Sequence, residues 1–169
     1  MKKYELIQEG KLFRIIALKD FGFIKKGELG GLIEKESNLS QKNECWVYKY
    51  AKVYGNALVS DDAKVYGNAK VYDNARIIDK SKVTGNAKVY GNAYVLGNTQ
   101  ATKEVITFGN IFDYDITITD NHIKIGCQQY LKSRWLEFTN KEILEMGGKR
   151  ALKFWGLFKP FAINRGFFN

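Results

Sequence analysis

From Cys45 to Asn98 the chain repeats a unit of six residues, too short to fold alone. Aliphatic residues fall at Val47, Val53, Val59, Val65, Val71, Ile77, Val83, Val89 and Val95. Small residues fall two places earlier each time, at Cys45, Ala51, Ala57, Ala63, Ala69, Ala75, Ser81, Ala87 and Ala93. The corners read Gly55-Asn56, Asp61-Asp62, Gly67-Asn68 and so on to Gly97-Asn98. Glycine, asparagine and aspartate tolerate the positive φ of a tight corner. A period of six fits a short strand followed by such a corner, and neither a helix nor a long strand. Side chains alternate along a strand, so in "AKVY" Ala and Val point one way and Lys and Tyr the other. With valine inward, three units close a triangular coil of 18 residues, and coils stack at a strand spacing of about 4.8 Å. Nine units predict three coils, a column roughly 15 Å tall on that spacing. No unit buries its valine alone, so only the stack is stable and both ends need caps.

"VYGNAKVYDNARI" resembles the hexapeptide repeat, in which an aliphatic residue is followed four places later by a small one. The resemblance implies a left-handed parallel β-helix, an exception to the right-handed crossover rule. The lead-in "KKGELGGLIEKESNLS", residues 25–40, and "ITITDNHIKIGC", residues 116–127, resemble a group of bacteriophage and prophage hexapeptide-repeat proteins of unassigned function. That second resemblance implies a phage-borne protein in the cytoplasm of a bacterial host, acting against a host defence system.

The expected fold is mainly β: an N-terminal β cap over 1–44, the β-helix of about three coils over 45–100, and a C-terminal strand-plus-helix module over 101–169. Residues 18 apart share a wall. The first wall carries Trp46 and Tyr48, Lys64 and Tyr66, then Lys82 and Thr84. The second is a ladder of Lys52 and Tyr54, Lys70 and Tyr72, Lys88 and Tyr90. The third is greasy, with Leu58, Ile78, Tyr94 and Leu96, and is expected to be covered by the chain's own ends or by a second subunit. Lysines and tyrosines on a ladder can simply shield a sheet and discourage edge pairing. They also suit a surface for bases and phosphates, or for another protein.

At the N-terminal end, residues 4–24 alternate well enough for a hairpin or two strands. At the C-terminal end, strands are expected across 104–130, with turns at Gly109-Asn110 and Asp120-Asn121. Helices follow, opened by a Thr139/Glu142 capping box, bent at Gly147-Gly148 and stopped by Pro160. Trp155 and Phe158 belong to the apolar stripe of the last helix, which is expected to dock over the greasy wall.

Chemistry is sparse. Two cysteines 82 residues apart and one histidine give no metal-ligand spacing, so no metal or cofactor is expected. No stretch has the roughly 18 apolar residues of a membrane span, and the first fifteen residues do not read as a signal peptide. Many hexapeptide-repeat proteins are trimeric acyltransferases that use a histidine base and an acyl-CoA donor. Here the one histidine, His122, follows the repeat, so the resemblance supports the scaffold more than the activity. His122 stands as a weak catalytic candidate, with Cys127 on the same hairpin expected to face away from it. Asp113, Asp115 and Asp120 are expected to be solvated. The net charge of +9 favours anionic partners.

These readings converge on a non-enzymatic, self-associating binding protein. Its Lys–Tyr wall would meet a nucleic acid, a nucleotide signal or a nucleoprotein, with no membrane partner. The rival is an acyltransferase, and a third possibility is a structural virion or assembly part.

Overall fold

The computed structural model describes residues 2–111 and 114–169, and within it the period-six segment forms a three-sided parallel β-solenoid. The chain opens with a hairpin of β1 (Tyr4–Glu9) and β2 (Leu12–Ala17), followed by β3 (Leu29–Ile33). Short strands then recur at every sixth residue: β4 (Trp46–Val47), β5 (Lys52–Val53), β6 (Leu58–Val59), β7 (Lys64–Val65), β8 (Lys70–Val71), β9 (Arg76–Ile77), β10 (Lys82–Val83), β11 (Lys88–Val89), β12 (Tyr94–Val95) and β13 (Gln100–Ala101). Every third strand pairs in parallel register, which makes three walls: β4-β7-β10-β13, β3-β5-β8-β11 and β6-β9-β12.

The valines and alanines of the repeat are fully buried inside the column. Each corner from Gly55 to Gly97 opens on a positive φ, supplied by glycine at Gly55, Gly67, Gly85, Gly91 and Gly97 and by aspartate at Asp61, Asp73 and Asp79. The aspartates earn that conformation by reaching to the next coil: Asp73 accepts from the Gly91 amide at 3.0 Å and Asp79 from the Gly97 amide at 2.8 Å. Asparagine amides stack along two corners, Asn56 to Asn74 to Asn92 and Asn68 to Asn86, at 3.2–3.4 Å.

The column has about four turns, where the repeat alone predicts about three. Ile33 and Leu39 before the repeat and Ala101 after it supply the additional turn, with Ile33 paired to Val53, Leu39 bridged to Val59 and Ala101 paired to Val83. The spacing from Ile33 through Leu39 to Val47 runs six and then eight residues, because the loop before Cys45 is longer than a corner. Asn38 ties this uneven turn to the next coil. Its buried side chain accepts from the amides of Glu34 and Lys35 and donates to the carbonyls of Gly55 and Ala57.

The hairpin extends one wall past the end of the column, through antiparallel pairing of β2 with β3. Tyr4 and the segment around Phe21 fold over Trp46, which is fully buried although the repeat assigns it to an outer wall. Gly30 permits that approach, since a Cβ there would stand 2.5 Å from Ile15 and 2.7 Å from the indole.

Beyond Ala101 the chain makes an antiparallel sheet of β14 (Ile106–Ile111), β15 (Tyr114–Ile118), β16 (His122–Ile125) and β17 (Gln128–Leu131). Two helices follow, α1 (Lys132–Glu137) and α2 (Asn140–Asn164). Strand β14 runs through Gly109 and Asn110, and Ile111 pairs with Tyr114, so the chain does not turn at Gly109-Asn110. Pro160 does not end the helix either. Phe158 and Ala162 on its two sides are both buried, and that packing carries the helix four residues past the lost hydrogen bond.

Helix α2 docks on the C-terminal sheet and not on the greasy wall. The sheet has its own apolar face of Ile116, Ile118, Ile123 and Ile125, against which Trp135, Phe154, Trp155 and Phe158 form a second core. Gly148, at φ +68°, breaks the helix and redirects its second half onto that face. No helix among the described residues is long and apolar enough to cross a membrane.

Candidate functional site: the lysine–tyrosine wall

The wall β3-β5-β8-β11 brings together all six residues of the ladder. Register pairs Leu32 with Lys52, Lys52 with Lys70 and Lys70 with Lys88, so the three ammonium groups project from one file. Strand spacing puts neighbouring backbones about 4.8 Å apart, a distance at which like charges repel. All three lysines are exposed, and none takes part in the ion pairs found among the described residues. Arg14 continues the same file on β2, opposite Leu32. Its charge is already satisfied, by two bonds to Glu9 and by the carbonyls of Gly30 and Lys49.

The tyrosines form a parallel file beside the lysines. Tyr54 and Tyr72 stack at 5.1 Å between centroids with planes 3° apart, and Tyr72 and Tyr90 at 5.3 Å and 11°. Each ring therefore covers the face of the next, and the edges and hydroxyls are what the wall offers a ligand. A base cannot slide between them. The Tyr90 hydroxyl donates to Glu104 at 2.8 Å, and this bond is the main reason its pKa is raised. Burial raises those of Tyr54 and Tyr72. All three phenols are thus neutral donors near pH 7.

Glu104, Glu34 and Arg14 border this wall, and the repeat does not point to them. Only the offset of 20 between Leu32 and Lys52, in place of 18, would have placed Glu34 beside Tyr54.

The remaining candidates scatter. Leu58, Ile78, Tyr94 and Leu96 are half-buried on the third wall. At its last coil the C-terminal sheet arrives: the Tyr94 amide donates to Thr117, Lys124 sits 4.9 Å from the Tyr94 ring, and Gln129 donates to the Leu96 carbonyl. Trp155 and Phe158 lie in the second core, away from that wall. An apolar cavity of about 70 Å³ remains between that sheet and α2, far below the few hundred Å³ of a ligand pocket.

His122 begins β16, half-buried, and burial lowers its pKa, so the imidazole is neutral near pH 7. Cys127 is exposed in the turn at the far end of the same strand, too distant to pair with it. Asp120 is a structural cap: its carboxylate accepts from the amide and the hydroxyl of Thr102, where the column ends. Asp113 lies outside the described residues. Among the described residues no cluster of His, Cys, Asp or Glu could hold a metal ion.

No protein-family model matches the chain. Among curated proteins it is similar to YdcK, an uncharacterised acetyltransferase of Escherichia coli strain K12, with 32% identity over 79 residues. The match takes in 38% of this chain, and spans about a quarter (24%) of that relative's length.

Proposed function

We propose that this protein is a non-catalytic binding module whose Lys–Tyr wall holds an anionic polymer. The observation that carries the reading is the file of Lys52, Lys70 and Lys88, three exposed like charges in register that join none of the ion pairs among the described residues. Such a file costs stability alone and gains it when phosphates lie across it. The Tyr54 and Tyr72 hydroxyls beside the file add neutral donors for phosphate oxygens, that of Tyr90 being taken by Glu104. Single-stranded nucleic acid, which can follow a flat wall, suits this arrangement, held by its backbone and not by base stacking. The lead-in and ending of the repeat resemble phage proteins, which extends the reading to a phage-borne, self-associating protein that engages a nucleic-acid-based or nucleotide-signalled defence in the bacterial cytoplasm.

The test is a salt titration of binding to a fluorescent single-stranded oligonucleotide. Three phosphate contacts predict a log–log slope near about −2. The triple variant K52E/K70E/K88E should bind at least about tenfold more weakly and lose most of that slope. Binding that ignores both salt and the substitutions removes the reading.

A second reading, an acetyltransferase, is favoured by the similarity to YdcK. It requires thiol release from acetyl-CoA in the presence of an amine or sugar acceptor, lost in His122→Ala. No release with the assembled protein argues against it.

A further inference from the structure

Lys3 precedes β1, and its side chain turns inward beneath the first coil. Its Nζ stands 3.2 Å from Sγ of Cys45. The same nitrogen donates to the carbonyl oxygens of Cys45 at 2.9 Å, Lys42 at 3.2 Å and Asn43 at 3.4 Å. Those bonds hold it against the sulfur. Both side chains are closed off from solvent, Lys3 at 1% exposure and Cys45 at 0%. Cys45 occupies the small-residue position of the repeat, where the other coils place alanine or serine. The sulfur also lies 3.4 Å from the Ser40 carbonyl oxygen and 3.6 Å from that of Lys42, so it takes part in a buried polar cluster that an alanine methyl could not join.

We propose that Lys3 and Cys45 form a covalent modification site, joined through a single oxygen atom as Nζ–O–Sγ when the protein meets a peroxide. The Cys45 sulfur takes one oxygen from a peroxide and gives up an electron pair. The O–O bond breaks, leaving a sulfenic acid and one water. The Lys3 nitrogen gives up a pair to a second peroxide and becomes a hydroxylamine, releasing a second water. Condensation of hydroxylamine with sulfenic acid forms the O–S bond and expels the third water. Two peroxides are reduced, sulfur and nitrogen are each oxidised by one pair, and the linked product keeps one oxygen.

Burial lowers the lysine pKa, the direction that makes the nitrogen lone pair available, while burial raises the thiol pKa and the Lys3 ammonium beside it pulls it back, so the sulfur step runs through the thiolate that this contact supports. One intervening oxygen spans most of the gap already present and leaves Nζ one N–H for the Cys45 carbonyl, while a direct S–N bond would have to draw Nζ much closer to the sulfur. Small oxidants reach the pair when the end of the chain frays, because β1 is the outer strand of its sheet. The bridge would fasten the N-terminal hairpin to the first coil by closing the loop from residue 3 to residue 45.

The experiment treats the folded full chain, carrying Cys127→Ser to remove the exposed thiol, with hydrogen peroxide. Intact mass and peptide mapping follow. The expected product is heavier by one oxygen less two hydrogens, with the Lys3 and Cys45 peptides linked, trypsin cleavage after Lys3 lost, and reversal by dithiothreitol. Its thermal midpoint should rise by several degrees. Two further variants guard against misfolding. Lys3→Arg keeps a cation on the carbonyls, and Cys45→Ala restores the residue that other coils carry. Both should stay folded by circular dichroism and give no linked product. Addition of whole oxygens only, a loss of two hydrogens marking a direct S–N bond, an unmodified Cys45, or the same linkage in Lys3→Arg would each overturn the proposal.

Discussion

At the scale of single residues, the column depends on a few side chains that stand in for missing repeat. Asn38 makes four hydrogen bonds to backbone while buried. Asn38→Ala should cost about 3 kcal/mol, read from urea unfolding, because it orphans buried amides and carbonyls. A loss under about 1 kcal/mol would mean that water replaces the amide. Gly67 fails differently. Its φ is +68° and an added Cβ would stand 2.8 Å from the Gly85 carbonyl oxygen, so Gly67→Ala should destabilise by at least about 2 kcal/mol. The glycine was legible from the corner pattern. Asn38 was not, since nothing in "EKESNLS" repeats and the coil it supports has uneven spacing. Trp46 misleads for a related reason: period and alternation assign it outward, and only the hairpin folded over it makes that place an interior.

At the scale of elements, α2 shows how a helix is started and turned. The Thr139 hydroxyl accepts from the Glu142 amide at 3.3 Å and the Glu142 carboxylate accepts from the Thr139 amide at 2.8 Å. Thr139→Ala should cost about 1 kcal/mol. The Glu142 carboxyl is held below the usual carboxylate range, first by the Thr139 amide, then by the Thr139 hydroxyl and the Arg134 guanidinium. A folded pKa below the unfolded one gives stability that is present at neutral pH and lost as pH falls through the folded pKa. Between about pH 6 and pH 3 the thermal midpoint of the parent should therefore fall more steeply than that of Glu142→Gln. Parallel curves would remove Glu142 from the acid response. The cap was readable as Thr-x-x-Glu. The helix's destination was not, because the apolar face of β15 and β16 competes with the greasy wall and alternation over such short strands does not rank the two. Pro160 was misread for the same reason, since flanking burial outweighs one missing amide.

At the scale of the whole molecule, an 18-residue period lets coils be added without new contacts. Duplicating residues 66–83 should give a soluble protein with one more coil and a higher thermal midpoint, because each coil touches only its neighbours. Inserting a single six-residue unit between Leu96 and Thr102 should instead turn the end of the column by one wall, separate the Thr102 contact from those at Tyr94 and Leu96, and lower the midpoint. Equal effects of the two insertions, by calorimetry, would contradict the nearest-neighbour picture. The inner stack was open to reading because one file of valines repeats strictly. The seat was not, because it rests on single polar contacts from a sheet without period. Those contacts have a larger consequence. Strands stacked at about 4.8 Å are the spacing of amyloid, and this column is in effect a short length of fibril with its growing tips sealed. The hairpin closes one tip by switching to antiparallel pairing, and Thr117, Asp120 and Gln129 close the other. Weakening either seal turns a finite particle into a seed.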